Sequence, residues 1–311
     1  MKILLLDKNH PLITEQLSEK GFVLEEDFSS SYEQVLEKIH LYEGIIIRSR
    51  IPLDAHFLEK AKNLKLIARV GAGMENIDIA KAQELGIKLI NSPEGNKDAV
   101  AEHVIGTLLV LMNRLFISSN EVKKGIWLRE ENRGEEILGK TFGIIGYGNM
   151  GKAVAKRLSG FGCKTIFYDI KPNLSDEFAA QVSLQELQEN ADILSLHTPL
   201  TEDTLYMIDE EFISKMKKNF YFINTARGKN LKTSALVNAL KSSKIKGACL
   251  DVLEYEKTSF ENLETKNEDL EYLLNSEKAI ITPHIAGWTH ESKIKLAQVI
   301  VDKILAFTAG N

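Results

Sequence analysis

The sequence predicts an α/β fold built on two doubly wound parallel sheets. Three observations carry that expectation. Short apolar runs alternate with amphipathic segments from end to end, as in parallel strands joined by crossover helices. The runs are apolar on successive residues, which suits strands covered on both faces. A chain of 311 residues is also long enough for roughly two domains of about 150 residues each.

Strand patterns fall at 2–6, 21–25, 44–48, 64–70 and 87–91, with helical patterns at 11–20, 31–40, 53–61 and 77–85. A long helical stretch over 97–117 follows, richer in apolar and small residues than one buried face requires. A second series then gives strands at 141–146, 164–169, 191–197, 221–225, 247–252 and 279–284, six in all for one sheet. Residues 290–307 repeat apolar side chains at helical spacing. That segment is too short to be a domain, so it must pack on one of the sheets. Between Glu254 and Lys278, eight acids face three lysines with no strand pattern, which reads as a solvated loop.

Composition narrows the function classes. With 44% hydrophobic and 27% charged residues, the chain reads as an ordinary globular protein. A net charge of −5 and no local basic stripe leave nothing to neutralise nucleic-acid phosphates. Cys163 and Cys249 lie far apart, with no C-x-x-C and no histidine pairing, so neither a metal site nor a disulfide is expected, and both read as core thiols in a reducing compartment. "MKILLLDKNHP" is a strand pattern rather than a signal peptide, and the longest apolar run, 104–112, has nine residues, short of the roughly 20 that cross a bilayer. The default expectation is therefore the cytoplasm, with no membrane partner.

The chemistry begins at "TFGIIGYGNMG" (141–151). A lone G-x-G-x-x-G is weak evidence, but this one follows a strand pattern and opens a helical one, and Asp169 ends the next strand 23 positions after Gly146. Gly146 would allow the tight turn, Gly148 the approach of a pyrophosphate, and Gly151 close packing of helix on strand. The helix N-terminus supplies free amides and a positive dipole end. Asp169 would accept both ribose hydroxyls and repel a 2′-phosphate, favouring NAD over NADP, although Lys171 stands two residues on.

In open parallel sheets, ligands bind at the carboxyl ends of the strands. Arg227, Asp251, Glu256 and His284 all follow strands of the second series. An arginine, a carboxylate and a histidine on one rim suit hydride transfer at a 2-hydroxy acid. Arg227 offers a planar fork for a carboxylate or keto oxygen, and His284 can exchange the hydroxyl proton near neutral pH. Glu256 would pair with the imidazole, favour its charged form and fix its tautomer. His197 also ends a strand, but lacks an acidic partner and fits better as a cofactor-lining residue.

In this order, "GYGNMG", "YDIKP", "HTPLT", "NTARG", "DVLEYE" and "TPHIAGWT" resemble the D-isomer-specific 2-hydroxyacid dehydrogenases. "RVGAGMENID" and "NSPEGNKDAVAEHVIG" extend the resemblance over nearly the whole chain. It implies a Rossmann NAD-binding domain, residues 96–286, inserted in a discontinuous flavodoxin-like substrate domain, residues 1–95 and 287–311. That layout gives the last helix its place and puts the active site in a cleft that can close and expel water. The resemblance implies catalytic roles for Arg227, Glu256 and His284. Asn149, Met150, Asp169, Thr225, Ala226 and Asp251 would contact NAD, Asp251 through the nicotinamide carboxamide, with His197, Thr198, Pro199 and Gly287 also lining the cofactor.

Within the family, "IIIRSR" and "SPEGN" look most like the 3-phosphoglycerate dehydrogenases. Arg48, Ser49 and Asn96 stand at substrate positions; Gly71 and Gly73, with Ala72 between them, would present amides to the carboxylate, and Arg48 or Arg50 would meet the phosphate. The implied reaction converts 3-phospho-D-glycerate to 3-phosphohydroxypyruvate at the start of serine synthesis, with glyoxylate, hydroxypyruvate and D-lactate as alternative substrates. Some relatives are instead NADH-sensing corepressors that keep the same triad. The region 97–117 implies a homodimer through the cofactor domain. Two features depart from the family pattern. Lys257 replaces the usual proline in a lengthened 257–278 loop, which keeps Glu254 open as the partner of His284. The chain also ends after one helix, so no serine-sensing regulatory domain is expected.

Overall fold

The structure is a computed structural model that describes residues 1–256 and 267–310. Lys257 and the first part of the acidic stretch, 257–266, lie outside the described residues. The chain divides into two compact units, Met1–Lys97 with Trp288–Asn311, and Asp98–Gly287.

The first unit carries five parallel strands, β1 (Lys2–Leu5), β2 (Val23–Glu26), β3 (Gly44–Ile47), β4 (Leu66–Arg69) and β5 (Lys88–Asn91), in the order β2-β1-β3-β4-β5. Between them run α1 (Leu12–Glu19), α2 (Tyr32–Lys38), α3 (Ala55–Lys60) and α4 (Ile79–Glu84). This is the flavodoxin-like order, with its switch point between β1 and β3. Alternation along β3 sends Ile45 and Ile47 to one core and Ile46 to the other. The second core is completed by Ala297, Ile300, Val301 and Ile304 of the last helix, His290–Ala309, which stack with Ile3, Leu5, Ile13 and Leu17. Each such side chain contributes roughly 1.5–3 kcal/mol on burial, so the last helix is an integral layer of this unit. Thr289 and Ser292 start it with a capping box.

The second unit begins within α5 (Pro93–Met112), which is followed by α6 (Leu115–Lys123). Its parallel sheet has seven strands: β6 (Thr141–Ile145), β7 (Lys164–Tyr168), β8 (Ala180–Gln181), β9 (Ile193–Leu196), β10 (Phe220–Asn224), β11 (Ile245–Leu250) and β12 (Ala279–Ile281). The order is β12-β11-β10-β9-β6-β7-β8. Counted from β6 this is the doubly wound dinucleotide-binding order, extended by one strand at the far edge. The connecting helices are α7 (Asn149–Leu158), α8 (Leu184–Asn190), α9 (Glu210–Lys215), α10 (Thr233–Lys241) and α11 (Glu268–Asn275), and the helix at His290–Ala309 is α12. Along β10, Phe220 and Phe222 enter one core while Tyr221 and Ile223 enter the other.

Three expectations are corrected here. The sheet has a seventh strand, β8, a two-residue edge paired with β7. The single helix expected over 97–117 is two helices, because Arg114 takes a left-handed conformation, φ 53°, and breaks the hydrogen-bond run. The acidic stretch is not all loop: Asn267 caps α11, accepting from Asp269 and Leu270, and Leu270 and Leu273 are buried. Among the described residues, no single helix is long and apolar enough to cross a membrane.

Candidate active site

In the second unit the strand order sets β10, β11 and β12 side by side, so the segments leaving their carboxyl ends start about 4.8 Å apart. They carry Arg227, Asp251 and His284. The His284 Nδ1 lies 2.9 Å from Glu256 Oε2, and the other oxygen of that carboxylate accepts the Leu253 amide. Glu254 points elsewhere, accepting the Thr233 amide at the start of α10 at 2.9 Å. A carboxylate on Nδ1 fixes the tautomer with the proton on that nitrogen, which leaves Nε2 for proton exchange.

The His284 backbone sits in the left-handed region, φ 56°. Such a conformation costs on the order of 1–3 kcal/mol and persists where the surroundings hold it. Here Asp251 does so. Its carbonyl accepts the His284 amide at 2.9 Å. Its buried carboxylate accepts the Ile285 amide at 2.8 Å and the Thr282 hydroxyl at 2.6 Å on Oδ1, and the Ala286 amide at 2.8 Å on Oδ2. Two lone pairs per oxygen leave one acceptor position, on Oδ2.

Arg227 follows β10 in extended conformation, and its guanidinium donates to the Ala226 carbonyl at 2.6 Å. Gly228 then passes so close to the 253–254 backbone that a Cβ would lie 1.9 Å from the Leu253 carbonyl oxygen. The segment bearing Arg227 and the segment leading to Glu256 are thus locked backbone to backbone. Sequence reading passed over Gly228, although its place after the arginine is the one available signal.

The glycine turn shows a close fit. Gly146 has φ +91°, and a Cβ there would meet the His197 carbonyl at 2.7 Å; a Cβ on Gly151 would meet the Gly146 carbonyl at 2.2 Å. Gly148, by contrast, has nothing within 4 Å of its Cβ position. It caps α7 without a side-chain hydrogen bond, so the amides of Asn149 and Met150 have no intrahelical acceptor. Asp169 accepts the Tyr147 amide at 2.7 Å and the Lys171 amide at 2.9 Å, which orients both oxygens. Beside it Ile170 is 85% exposed, an apolar side chain the sequence reading had not singled out. The Thr225 Oγ1 is buried with no hydrogen-bond partner among the described residues. Ala226 is held by its amide to Asn224 Oδ1 at 3.0 Å, and the Pro199 carbonyl, next to Thr198, accepts from Thr204 at 2.7 Å and Asn230 at 3.3 Å.

His197 bonds Ser195 Oγ at 2.9 Å through Nε2, and burial pushes its imidazole down to about 4. It is neutral at pH 7. Above about pH 6.5 the ring is neutral in both folded and unfolded chains; as the pH falls from there to about 4, only the unfolded chain takes the proton. Stability therefore declines across that window by about 3 kcal/mol, and His197→Gln should lack this part of the acid sensitivity in urea unfolding measured at pH 7 and pH 5.

In the first unit the ends of β1, β3, β4 and β5 bear the remaining candidates. Asp7 accepts the Arg48 amide at 2.6 Å, and the Arg48 guanidinium stacks 4.3 Å above the Trp288 ring, a contact of about 0.5–2 kcal/mol. The Arg50 guanidinium donates to the carbonyls of Leu6, Asp27 and Ser30, which commits three of its five N–H groups to the backbone. Arg69, which the sequence reading overlooked, donates Nε to the Arg48 carbonyl at 3.2 Å and lies directly under Gly71. Gly71 departs from expectation: its amide donates to the buried Ser92 Oγ at 3.0 Å. The Ala72 and Gly73 amides donate to nothing among the described residues, and Ser49 makes no hydrogen bond among them. The Asn96 Oδ1 is buried with no hydrogen-bond partner among the described residues.

Residues 105–286, more than half the chain, match the family profile of the D-isomer specific 2-hydroxyacid dehydrogenase, NAD binding domain. The chain belongs to the D-isomer-specific 2-hydroxyacid dehydrogenase family. It is 37% identical over 272 residues to a hydroxypyruvate reductase of Thermotoga maritima, covering 88% of this chain and 87% of that one. It is 33% identical over 315 residues to a D-3-phosphoglycerate dehydrogenase of Archaeoglobus fulgidus, of whose length it spans 58%. A D-lactate dehydrogenase from Aquifex aeolicus, solved with NAD and lactic acid, superposes with a TM-score of 0.84 at 32% identity, covering 100% of this chain and 96% of that one.

This dehydrogenase is an NAD-dependent oxidoreductase, and the residues present fit the cofactor. The space over Gly148, the unpaired amides of α7, the Asp169 carboxylate and the orphan Thr225 hydroxyl are each what a bound dinucleotide would use. The nicotinamide supplies or accepts the hydride. Among the described residues, no group of three or more histidine, cysteine or acidic side chains could hold a metal ion. Cys249 is buried and its thiol is pushed up to about 12, so it is no nucleophile.

Proposed function

We propose that the protein interconverts 3-phospho-D-glycerate and 3-phosphohydroxypyruvate with NAD, the entry to serine synthesis, with His284 as acid and base. In reduction, the His284 imidazolium gives its Nε2 proton to the keto oxygen as C2 receives the hydride, and Glu256 holds the ring by Nδ1. Arg227 binds the substrate and polarises the carbonyl. The Ala72 and Gly73 amides take the carboxylate, with Gly71 braced by Ser92 behind them. Ser49 and Asn96 contact the substrate, and Asp251 Oδ2 has room for the carboxamide of the cofactor. Ile170 offers an apolar face for the adenine.

The observation that carries the substrate is the pair of arginines. Arg48 and Arg69 stand together at the ends of β3 and β4, one stacked on an indole, and two guanidinium groups suit a substrate with a phosphate beside its carboxylate. A second reading, reduction of hydroxypyruvate or glyoxylate, is favoured by the higher identity to the Thermotoga maritima reductase. A panel of 2-keto acids with NADH separates them. The phosphorylated acid should lead, and Arg48→Met should lower its kcat/KM by about 100-fold while changing hydroxypyruvate by less than about fivefold. Equal rates with both acids would favour the second reading.

We further propose a homodimer through the second unit. The surplus apolar surface is on α6 and the segment after it rather than on α5: Leu115, Phe116, Val122, Ile126, Trp127 and Leu128 are exposed. A cavity of about 320 Å³ opens beside them, lined by Val110, Phe116, Leu274 and Ile280. A patch of this kind marks an interface, and a second copy is the occupant that would cover it by symmetry. Light scattering should give twice the chain mass, and Phe116→Ser with Trp127→Ser should give a monomer. A wild-type monomer would remove the proposal.

A further inference from the structure

Nothing in the catalytic reading uses His103, on α5. Its Nε2 lies 3.1 Å from the Thr282 Oγ1 and 3.7 Å from Asp251 Oδ1. The side chain is only 17% exposed and that of Asp251 1%. The Thr282 hydroxyl, 2.6 Å from Oδ1, has a single proton, and an ionised carboxylate only accepts. The hydroxyl must therefore donate to Asp251 and accept from His103, which places a proton on Nε2. The hydrogen bonds run one way, from His103 to Thr282 to Asp251.

Asp251 is also the anchor of the turn that bears His284. Its carbonyl takes the His284 amide and its carboxylate takes the next two, Ile285 and Ala286. Three successive residues, the first in a left-handed conformation, hang on one buried side chain and its backbone. We propose that His103 is a positioning residue for the reaction, holding the 284–286 turn through Thr282 and Asp251. The inference rests on the reading of His284 as acid and base. Without His103 the hydroxyl loses its donor in a buried site, where an unmade hydrogen bond weakens the whole network. The turn then loses the side-chain hydrogen bond that joins it to α5.

The test uses the full chain and the variants His103→Leu, His103→Gln and Thr282→Val. Gln keeps an N–H at similar reach. Expected for His103→Leu is a kcat about tenfold lower with hydroxypyruvate and NADH, KM and NADH affinity within about twofold, and about tenfold faster amide exchange at Ile285 and Ala286 without cofactor. The Gln variant should recover both readouts, and adding Thr282→Val to His103→Leu should cost little more, since the two act as one unit. Unchanged exchange and kcat in His103→Leu, a Gln variant as impaired as Leu, or losses that multiply in the double variant would each overturn the proposal. A wild type inactive on every 2-keto acid would sink the catalytic reading instead, and the exchange data would still decide whether His103 holds the turn.

Discussion

Replacing His284 with asparagine should lower kcat for 2-keto acid reduction by about 1,000-fold while leaving NADH affinity within about twofold. Asparagine is the informative choice because it tolerates the left-handed backbone that His284 adopts. Its amide can still meet Glu256, so the turn on Asp251 survives and only the proton carrier is lost. Steady-state rates and NADH fluorescence titration on the same preparation check both halves. A loss of less than about tenfold would place the proton elsewhere. His197 is a poor substitute, since burial holds it neutral.

The second large effect belongs to Gly228. A methyl group there would stand 1.9 Å from the Leu253 carbonyl oxygen and 2.6 Å from the Glu254 nitrogen. Both obstacles are backbone, which cannot swing aside as a side chain can. Gly228→Ala must push the Arg227 segment away from the segment that leads to Glu256. A shift of about 1 Å in a catalytic group costs about 100-fold in rate, and overpacking costs about 1–3 kcal/mol. The expected result is a kcat down by about 100-fold with a melting temperature a few degrees lower. NADH binding should fall less than kcat, because the glycine turn at 146–151 is built independently. Wild-type rates in Gly228→Ala would show that the two segments need not be locked.

Those two positions also show what a sequence can reveal. The strands of both sheets were legible because each is a run of consecutive apolar residues, and the glycine turn because its context, strand before and helix after, is itself a pattern. β8 was not, since Ala180 and Gln181 are two residues without strand preference that pair only because β7 lies beside them. The break at Arg114 carries no glycine or proline to mark it. The helix α11 was hidden by acids, yet Asn267 followed by acids in the first turn and leucines at 270, 273 and 274 is a readable start signal.

At the site, residue type was legible and direction was not. Glu254 and Glu256 are both acids beyond β11, and only coordinates separate the one that meets His284 from the one that caps α10. Arg48 and Arg50 are likewise equivalent in sequence, but both lie beyond the last residue of β3, where no strand alternation sets a side chain's direction, and only coordinates show Arg50 turned to three carbonyls. Gly71, read as an amide donor, proved to be already bonded to Ser92. His103 and Thr282, separated by 179 positions, have no pattern in sequence that joins them.

The most direct measurement is a single-turnover reaction with NADH carrying deuterium at the transferable C4 position and hydroxypyruvate as acceptor, followed by chiral analysis of the product. The account predicts D-glycerate with deuterium at C2. L-glycerate, or a product without the label, would contradict it.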